Sequence, residues 1–300
     1  MRPTAPIRLL VLVLALVAPL PVALAAEPPA DAGRTVLVTG STDGLGRALA
    51  LALAAQGAHV IVHGRNAARG QAVVDEIAAA GQGSAEFVAA DFASLQGVRD
   101  FADAIAARHP RLDLLVNNAG IAITGAQPRR TSEDGHELQF AVNYLAGWIL
   151  VHRLRPALAA AAPSRVVNVA SISAHDIDFD DVMLEQPGAS ARGYGQSKQA
   201  QVTMTAALAP AFAADGITMI SLHPATLMDT TMVRDIGVPP RTTVAEGRDT
   251  VMALIDAPTL VPGAFYVDGK PAPLAAQSED ARAQARLLAL SRTLTGVGGD

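Results

Sequence analysis

The run Thr39-Gly40-Ser41-Thr42-Asp43-Gly44-Leu45-Gly46 narrows the folding options more than any other segment. It follows a short apolar stretch, Thr35–Val38, and opens an apolar helical pattern over residues 47–56. Glycines in a strand–turn–helix context let the backbone approach a pyrophosphate, whose charge the amides at the helix start can bind. The spacing is Gly-x-x-x-Gly-x-Gly. The same alternation continues downstream. Apolar strands are expected at 59–62, 86–90, 112–116, 165–169, 217–222 and 263–267. Helices are expected at 66–80, 95–108, 132–158, 193–214, 244–255 and 278–294, with 227–240 irregular or short helix. Buried strands separated by helices predict an α/β fold: a single-domain, Rossmann-type, doubly wound parallel sheet with helices on both faces.

Composition removes several alternatives. With no cysteine, a disulfide framework or thiolate metal site is excluded. A net charge of −5 and no Lys/Arg cluster argue against nucleic acid as a partner. The histidines, His136 and His152 among them, show no ligand spacing, so no metal site is expected. The N-terminus reads differently. Arg2 and Arg8 precede an apolar run over residues 9–26 broken by Pro19 and Pro21, and Ala23-Leu24-Ala25 forms a small-x-small exit before Glu27-Pro28-Pro29. Residues 1–26 are read as a signal peptide or an uncleaved anchor giving membrane association, with a misassigned start as the third option. Residues 27–33 are a polar linker, and 34–300 form the NAD(P)-binding catalytic domain. An extracytoplasmic location conflicts with dependence on a nicotinamide cofactor, and the sequence leaves that conflict open.

Two further patterns carry chemistry. At the end of the second strand, His63-Gly64-Arg65-Asn66 lacks the acid that would hold a ribose 2′-hydroxyl. Arg65 can instead pair with a 2′-phosphate, so NADP is preferred and NAD left open. Downstream, Tyr194-Gly195-Gln196-Ser197-Lys198 places Tyr194 and Lys198 on one helix face, one turn apart. A lysine ammonium beside a phenol, whose free pKa is about 10, should lower it and make the tyrosine an acid/base group.

Taken in order, these residues resemble the short-chain dehydrogenase/reductase family, in its compact, retinol-dehydrogenase-like branch. The resemblance runs from Thr35 to about Val267. It rests on Gly40, Gly44 and Gly46; Asp91-Phe92; Asn117-Asn118-Ala119-Gly120; Asn143; Ser171 after Asn168-Val169-Ala170; Tyr194 and Lys198; and His223-Pro224-Ala225-Thr226. It implies a cofactor cradle of Gly40, Ser41, Thr42, Asp43, Gly44, Leu45 and Gly46, with Arg65, Asn66, Asp91 and Phe92 at the adenosine end. Asn118, Ala119, Gly120, Tyr194, Lys198, Pro224 and Thr226 follow toward the nicotinamide. It also implies hydride transfer between the cofactor and an apolar alcohol, aldehyde or ketone. Tyr194 is then the acid/base, Lys198 lowers its pKa and binds the ribose, Ser171 stabilises the substrate oxygen, and Asn143 positions a relay water.

Two departures stand out. Ala225 replaces a glycine of the family pattern. The gap between Ser171 and Tyr194 is long, and its acidic insertion at 174–192 carries His175, Asp176, Asp178, Asp180, Asp181 and Glu185. The insertion is read as a solvated acidic loop or lid, not a calcium loop. Ile121, Ile123, Ile172, Ile177, Phe179, Leu227, Met228 and Met232 are candidate walls of an apolar substrate site. A homodimer through the helices holding Asn143 and Tyr194 is a further implication. The competing functions are a non-catalytic nucleotide-binding regulatory protein of the same fold and a sugar-nucleotide epimerase. The latter lacks support from the glycine spacing and from the absence of a larger C-terminal substrate domain.

Overall fold

The computed structural model describes residues 33–123 and 128–298. The signal-peptide or anchor segment 1–26 and most of the linker lie outside the described residues. Among those described, no helix is long and apolar enough to cross a membrane.

Eight strands form one sheet: β1 (Thr35–Val38), β2 (His59–Gly64), β3 (Ser84–Ala89), β4 (Leu114–Asn117), β5 (Ser164–Val169), β6 (Ile217–His223), β7 (Phe265–Val267) and β8 (Lys270–Ala272). The spatial order is 3-2-1-4-5-6-7-8. Every pairing from β3 across to β7 is parallel, and only β7 and β8 run antiparallel. The strand order reverses between β1 and β4, the place where open sheets of this kind form a ligand crevice.

The two-residue period of a strand decides what each face buries. Leu37, Ile61, Leu115 and Val166 point to one face, under helices α3 (Leu95–Arg108), α4 (Ala146–Arg153), α5 (Arg155–Ala160), α6 (Gly193–Ala213) and α10 (Ala281–Thr295). Val36, Val38, Val60, Val62, Leu114 and Val116 point to the other, under α1 (Gly44–Ala55), α2 (Ala67–Ala80) and α8 (Val244–Ile255). Two short helices, α7 (Thr231–Asp235) and α9 (Ala276–Glu279), lie in the segments after β6 and β8. The expected doubly wound α/β architecture is the one observed.

Two elements differ from the sequence expectation. The helix expected over 132–158 is broken. Residues 132–136 form turns closed by a bridge between Thr131 and Glu137, and helix begins only at Leu138. A π-helical segment, Phe140–Leu145, follows, and α4 stops at Arg153 before Pro156 enters the start of α5. Proline lacks the N–H needed to continue the ladder. Second, the segment after β7 turns back as a hairpin at Asp268-Gly269, both residues having positive φ, and β8 results. Segment 278–297 of the chain packs on the helices that hold Asn143 and Tyr194. The Tyr144 and Ser291 hydroxyls are 2.6 Å apart, Trp148 Nε1 donates to the Val297 carbonyl (3.1 Å), and Gln199 donates to Ser278 Oγ (2.8 Å).

Candidate active site

The glycine loop leaves β1 through a set of short polar ties. Thr39 Oγ1 accepts from the amides of Asn118 and Ala119, both at 3.0 Å, while the Asn118 side chain donates to the carbonyls of Thr39 (2.9 Å) and Gly40 (3.2 Å). Gly40 has φ +63°, and a Cβ there would lie 2.8 Å from the Ala119 Cα. A Cβ on Gly46 would come within 2.2 Å of the Gly40 carbonyl oxygen. Glycine at 46 therefore serves loop–helix packing as well as ligand approach.

Several residues expected to bind the cofactor spend their side chains elsewhere. Ser41 is fully buried; its hydroxyl donates to the Val38 carbonyl and accepts from the His63 amide. Leu45 lies in the core under α1. Asp43 caps α1, accepting from the Gly44 amide at 2.7 Å, and its other oxygen accepts from Thr231 Oγ1 at 2.8 Å. That second bond, opposed by partial burial, holds the Asp43 carboxyl below its usual value. Asn66 caps α2 through the Arg69 amide. The Phe92 ring is core, stacked 4.1 Å from His63, which leaves only its backbone toward a ligand. Asp91 is exposed and 3.5 Å from Arg65, whose side chain is 70% exposed and thus available to a phosphate.

His63 is a site residue that the sequence reading passed over. It is buried, its Nδ1 accepts from the Gly40 amide at 3.0 Å, and its Nε2 is 3.3 Å from the Ala90 carbonyl. That pairing assigns a neutral ring with the proton on Nε2. Burial pushes its pKa down to about 4. The available signal was a histidine inside an otherwise apolar strand facing the glycine loop.

Across the sheet switch point, Asn143, Ser171, Tyr194 and Lys198 come together from three elements. Asn143 sits in the π-helical segment, a distortion often found at functional positions. Its Oδ1 accepts from the Ile121 amide (2.8 Å), and its Nδ2 donates to the Ile121 carbonyl (3.0 Å) and Ser197 Oγ (2.9 Å). Gly120 lies beside it; a Cβ there would be 3.3 Å from Asn143 Oδ1 and 3.6 Å from Lys198 Nζ. Ser171, just past the end of β5, is buried, and its hydroxyl interacts with the Tyr194 phenol.

Lys198 is buried on α6, with Nζ donating to the Val169 carbonyl (2.8 Å) and Gln201 Oε1 (2.9 Å) and lying 5.7 Å from the centroid of the Tyr194 ring. This corrects the expected electrostatics. Burial raises the Tyr194 pKa, with the Ser171 hydrogen bond opposing it, and pushes Lys198 down to about 7. The two residues are neighbours as expected, but desolvation outweighs any acidification of the phenol by the ammonium.

A buried polar thread supports the cluster. Asn117 donates to Asn168 (2.8 Å), Asn168 to Thr205 (2.9 Å) and Thr205 to the Gln201 carbonyl (2.7 Å). At the end of β6, His223 Nε2 is 3.0 Å from Thr226 Oγ1, while the Thr226 carbonyl accepts from Thr242. His223 Nδ1 is buried without a partner among the described residues. Pro224 is buried beside it. Ala225 creates no strain where the family pattern has glycine, because the positive φ falls two residues later, at Leu227 (+51°).

The insertion, expected as a solvated acidic loop or lid, keeps Asp176, Asp180 and Glu185 exposed while packing its apolar residues inward. Ile177, Val182 and Leu184 are buried. Gln196, inside the Tyr–Lys motif, accepts from the Asp178 amide (3.0 Å) and donates to the Val182 carbonyl (2.8 Å). Gln277 clasps both backbone groups of Ile177, at 2.6 and 3.0 Å. Arg286 pairs with Asp180 and lies over the Phe179 ring. Ile123 and Ile177 are buried, and Met228 packs against Gly247, so these three are not free walls. Ile172 is 51% exposed.

Fold and cluster define a class: a doubly wound sheet with a glycine loop at its switch point and a Ser–Tyr–Lys–Asn set beside it. The sequence matches the short chain dehydrogenase family over residues 34–239. The chain belongs to that family and is an oxidoreductase. It is 35% identical over 275 residues (88% of this chain, 93% of the other) to a protein of Streptomyces sp. (strain C5) provisionally named a daunorubicin C-13 ketoreductase. It is 32% identical over 302 residues (90% and 89%) to human retinol dehydrogenase 14. Among solved structures, the Pseudomonas aeruginosa RhlG/NADP active-site complex superimposes with TM-score 0.65 at 26% identity, covering 81% of this chain and 98% of the other.

Proposed function

We propose that the chain is an NADP(H)-dependent oxidoreductase interconverting an apolar aldehyde or ketone with its alcohol. The observation that carries this is the convergence of Ser171, Tyr194, Lys198 and Asn143 beside the glycine loop. The chain fits the cofactor on its own features. Gly40 and Gly46 keep the loop free of side chains, Arg65 is exposed at the adenosine end, and His223 Nδ1 is an unspent polar atom at the segment expected beside the nicotinamide. NADP named with a structural relative supports the choice suggested by Arg65. The glycine-loop backbone and Arg65 would hold the phosphates, and Tyr194 and Lys198 the nicotinamide ribose. NADP(H), when bound, supplies or accepts the hydride.

The protein's part is proton placement. Ser171 donates to the substrate oxygen as negative charge grows there. Tyr194, whose phenol is protonated at neutral pH and is held higher still by burial, gives its proton to that oxygen. A protonated phenol suits carbonyl reduction, and alcohol oxidation would require it to ionise first. Lys198 replaces the lost proton through the water that Asn143 positions. The named relatives, a ketoreductase and a retinol dehydrogenase, support an apolar carbonyl or alcohol substrate.

The test is NADPH consumption with a panel of apolar aldehydes and ketones. Tyr194→Phe should lower kcat by about 10²–10⁴-fold while NADPH binding, read by fluorescence, is retained. Equal turnover by the phenylalanine variant would remove the proposed acid, and stronger use of NADH would overturn the role of Arg65.

A further inference from the structure

A second constellation lies at the far end of the sheet from the Tyr–Lys cluster. His59 opens β2, and Ser84 opens β3 directly beside it. In a strand, alternate residues share a face. His59, Ser84 and Glu86 therefore stand on the face that also carries Ile61, the face covered by α3. Helix α3 ends at Arg108, and its capping residue, His109, drops onto the same spot. His59, Glu86 and His109 each offer one ligand atom, and the three atoms lie within 4.8 Å of one another. All three residues are half-buried.

The surroundings are organised as a metal site would be. His109 Nε2 contacts Glu86 Oε1. The other carboxylate oxygen accepts from Arg108 at 2.6 Å, and Arg108 is itself tied back to the Ala104 carbonyl. That leaves Oε1 turned toward the two imidazoles, whose centroids are 5.6 Å apart. His59 Nδ1 is 2.8 Å from Ser84 Oγ, the kind of outer contact that orients a ligating imidazole. The negative end of the α3 dipole points at the same place and favours a cation there.

We propose that His59, Glu86 and His109 form a binding site for a divalent transition metal of the zinc class, with solvent as the fourth ligand. Two imidazoles and one carboxylate match the ligand preference of zinc and not that of magnesium or calcium, which take oxygen. Zinc–nitrogen and zinc–oxygen bonds of about 2.0–2.2 Å set tetrahedral ligand atoms roughly 3.3–3.5 Å apart, so the His109–Glu86 contact must open while any wider separation within the cluster closes. Side-chain rotation supplies that, because the residues come from β2, β3 and the end of α3. The site would tie edge strand β3 to its neighbour and to the covering helix. It is remote from Tyr194, so its role is structural and not chemical. No residue of the proposed hydride-transfer site takes part, and the inference stands whether or not that site is read correctly.

The experiment is calorimetric titration of the full chain, free of any polyhistidine tag, with Zn²⁺ alone, alongside thermal unfolding with and without the ion. One Zn²⁺ should bind per chain and raise Tm, whereas Mg²⁺ should do neither. Loss of a ligand in His59→Gln or His109→Gln should weaken binding by more than about 100-fold, a larger loss than is typical for outer-shell partners. His136→Ala should bind as the parent does. Glutamine keeps size and polarity, and Glu86→Gln provides a third variant if either histidine change prevents folding. Co²⁺ in place of Zn²⁺ should give visible bands of a low-symmetry nitrogen/oxygen site that disappear in the same variants. An absence of saturable Zn²⁺ binding to the parent would mean that His109 and Glu86 form an ion pair only, and would overturn the proposal. So would Zn²⁺ affinity unchanged in the His59→Gln/His109→Gln double variant.

Discussion

The cofactor side and the substrate side of the crevice are built in opposite ways. On the cofactor side, short side chains brace the backbone next to them: Thr39 and Asn118 lock two loops together, Ser41 spans β1 and β2, and His63 holds the Gly40 amide. On the substrate side, the insertion is held at arm's length by long side chains from distant sequence. Gln277 reaches Ile177 across 100 residues of chain, and Arg286 reaches Asp180 across 106. The first arrangement fixes the loop through short spans to its immediate neighbours. The second holds the insertion through contacts that can be altered one at a time without touching the glycine loop.

That contrast can be broken at its strongest point by acid. His63 is neutral when folded down to about pH 4, against 6.5 for an ordinary histidine. Between these values the unfolded chain binds the proton and the folded chain does not, so stability falls as pH drops from 6.5 toward 4 and is complete above 6.5. A shift of this size corresponds to about 3 kcal/mol. Denaturant unfolding should show the parent losing that much more than His63→Gln over this window, and NADPH affinity should fall with it. A parallel pH dependence in both proteins would remove His63 from its role as brace.

A smaller effect is expected on the other side. Gln277→Ala frees both backbone groups of Ile177 and should cost about 1–3 kcal/mol of stability. Steady-state kinetics should show KM for the carbonyl substrate rising several-fold with the NADPH Kd unchanged. A matching change in NADPH affinity would mean that the two sides are not separable. The smallest effect belongs to a contact across the crevice between the glycine loop and α7, Thr231 to Asp43. Thr231→Val removes a bond between partly exposed groups worth about 1 kcal/mol or less. Stopped-flow measurement should find NADPH dissociation changed only a few-fold, with Tm nearly constant.

The same division explains what the sequence reveals. The sheet, its strands and the Gly40–Gly46 loop are legible because period-2 apolar runs and glycine spacing are local signals. Tyr194, Lys198, Ser171 and Asn143 are legible through their order along the chain and do meet in space. The insertion is half legible: its acids Asp176, Asp180 and Glu185 do face solvent, but the burial of Ile177, Val182 and Leu184 is not written in local spacing, and Gln277 reaches Ile177 from 100 residues away. The Tyr194–Lys198 electrostatics are misread for a related reason. Helical spacing reports proximity, but desolvation depends on everything packed around α6, and here it dominates. Asp268-Gly269 was a readable hairpin signal. His59, Glu86 and His109 share no short spacing, and only strand register and the end of α3 unite them.

The final segment of the chain carries one more consequence. Helix α6 acquires its outer wall from Ser278 and from the helices α9 and α10. A chain growing from its N-terminus can assemble the dinucleotide half early, yet the tyrosine-bearing helix keeps a bare flank until residues beyond 275 have emerged. Competence for chemistry would then arrive only with that later segment, and a stop near residue 275 would leave a nucleotide-binding fold prone to clump through the unclad flank.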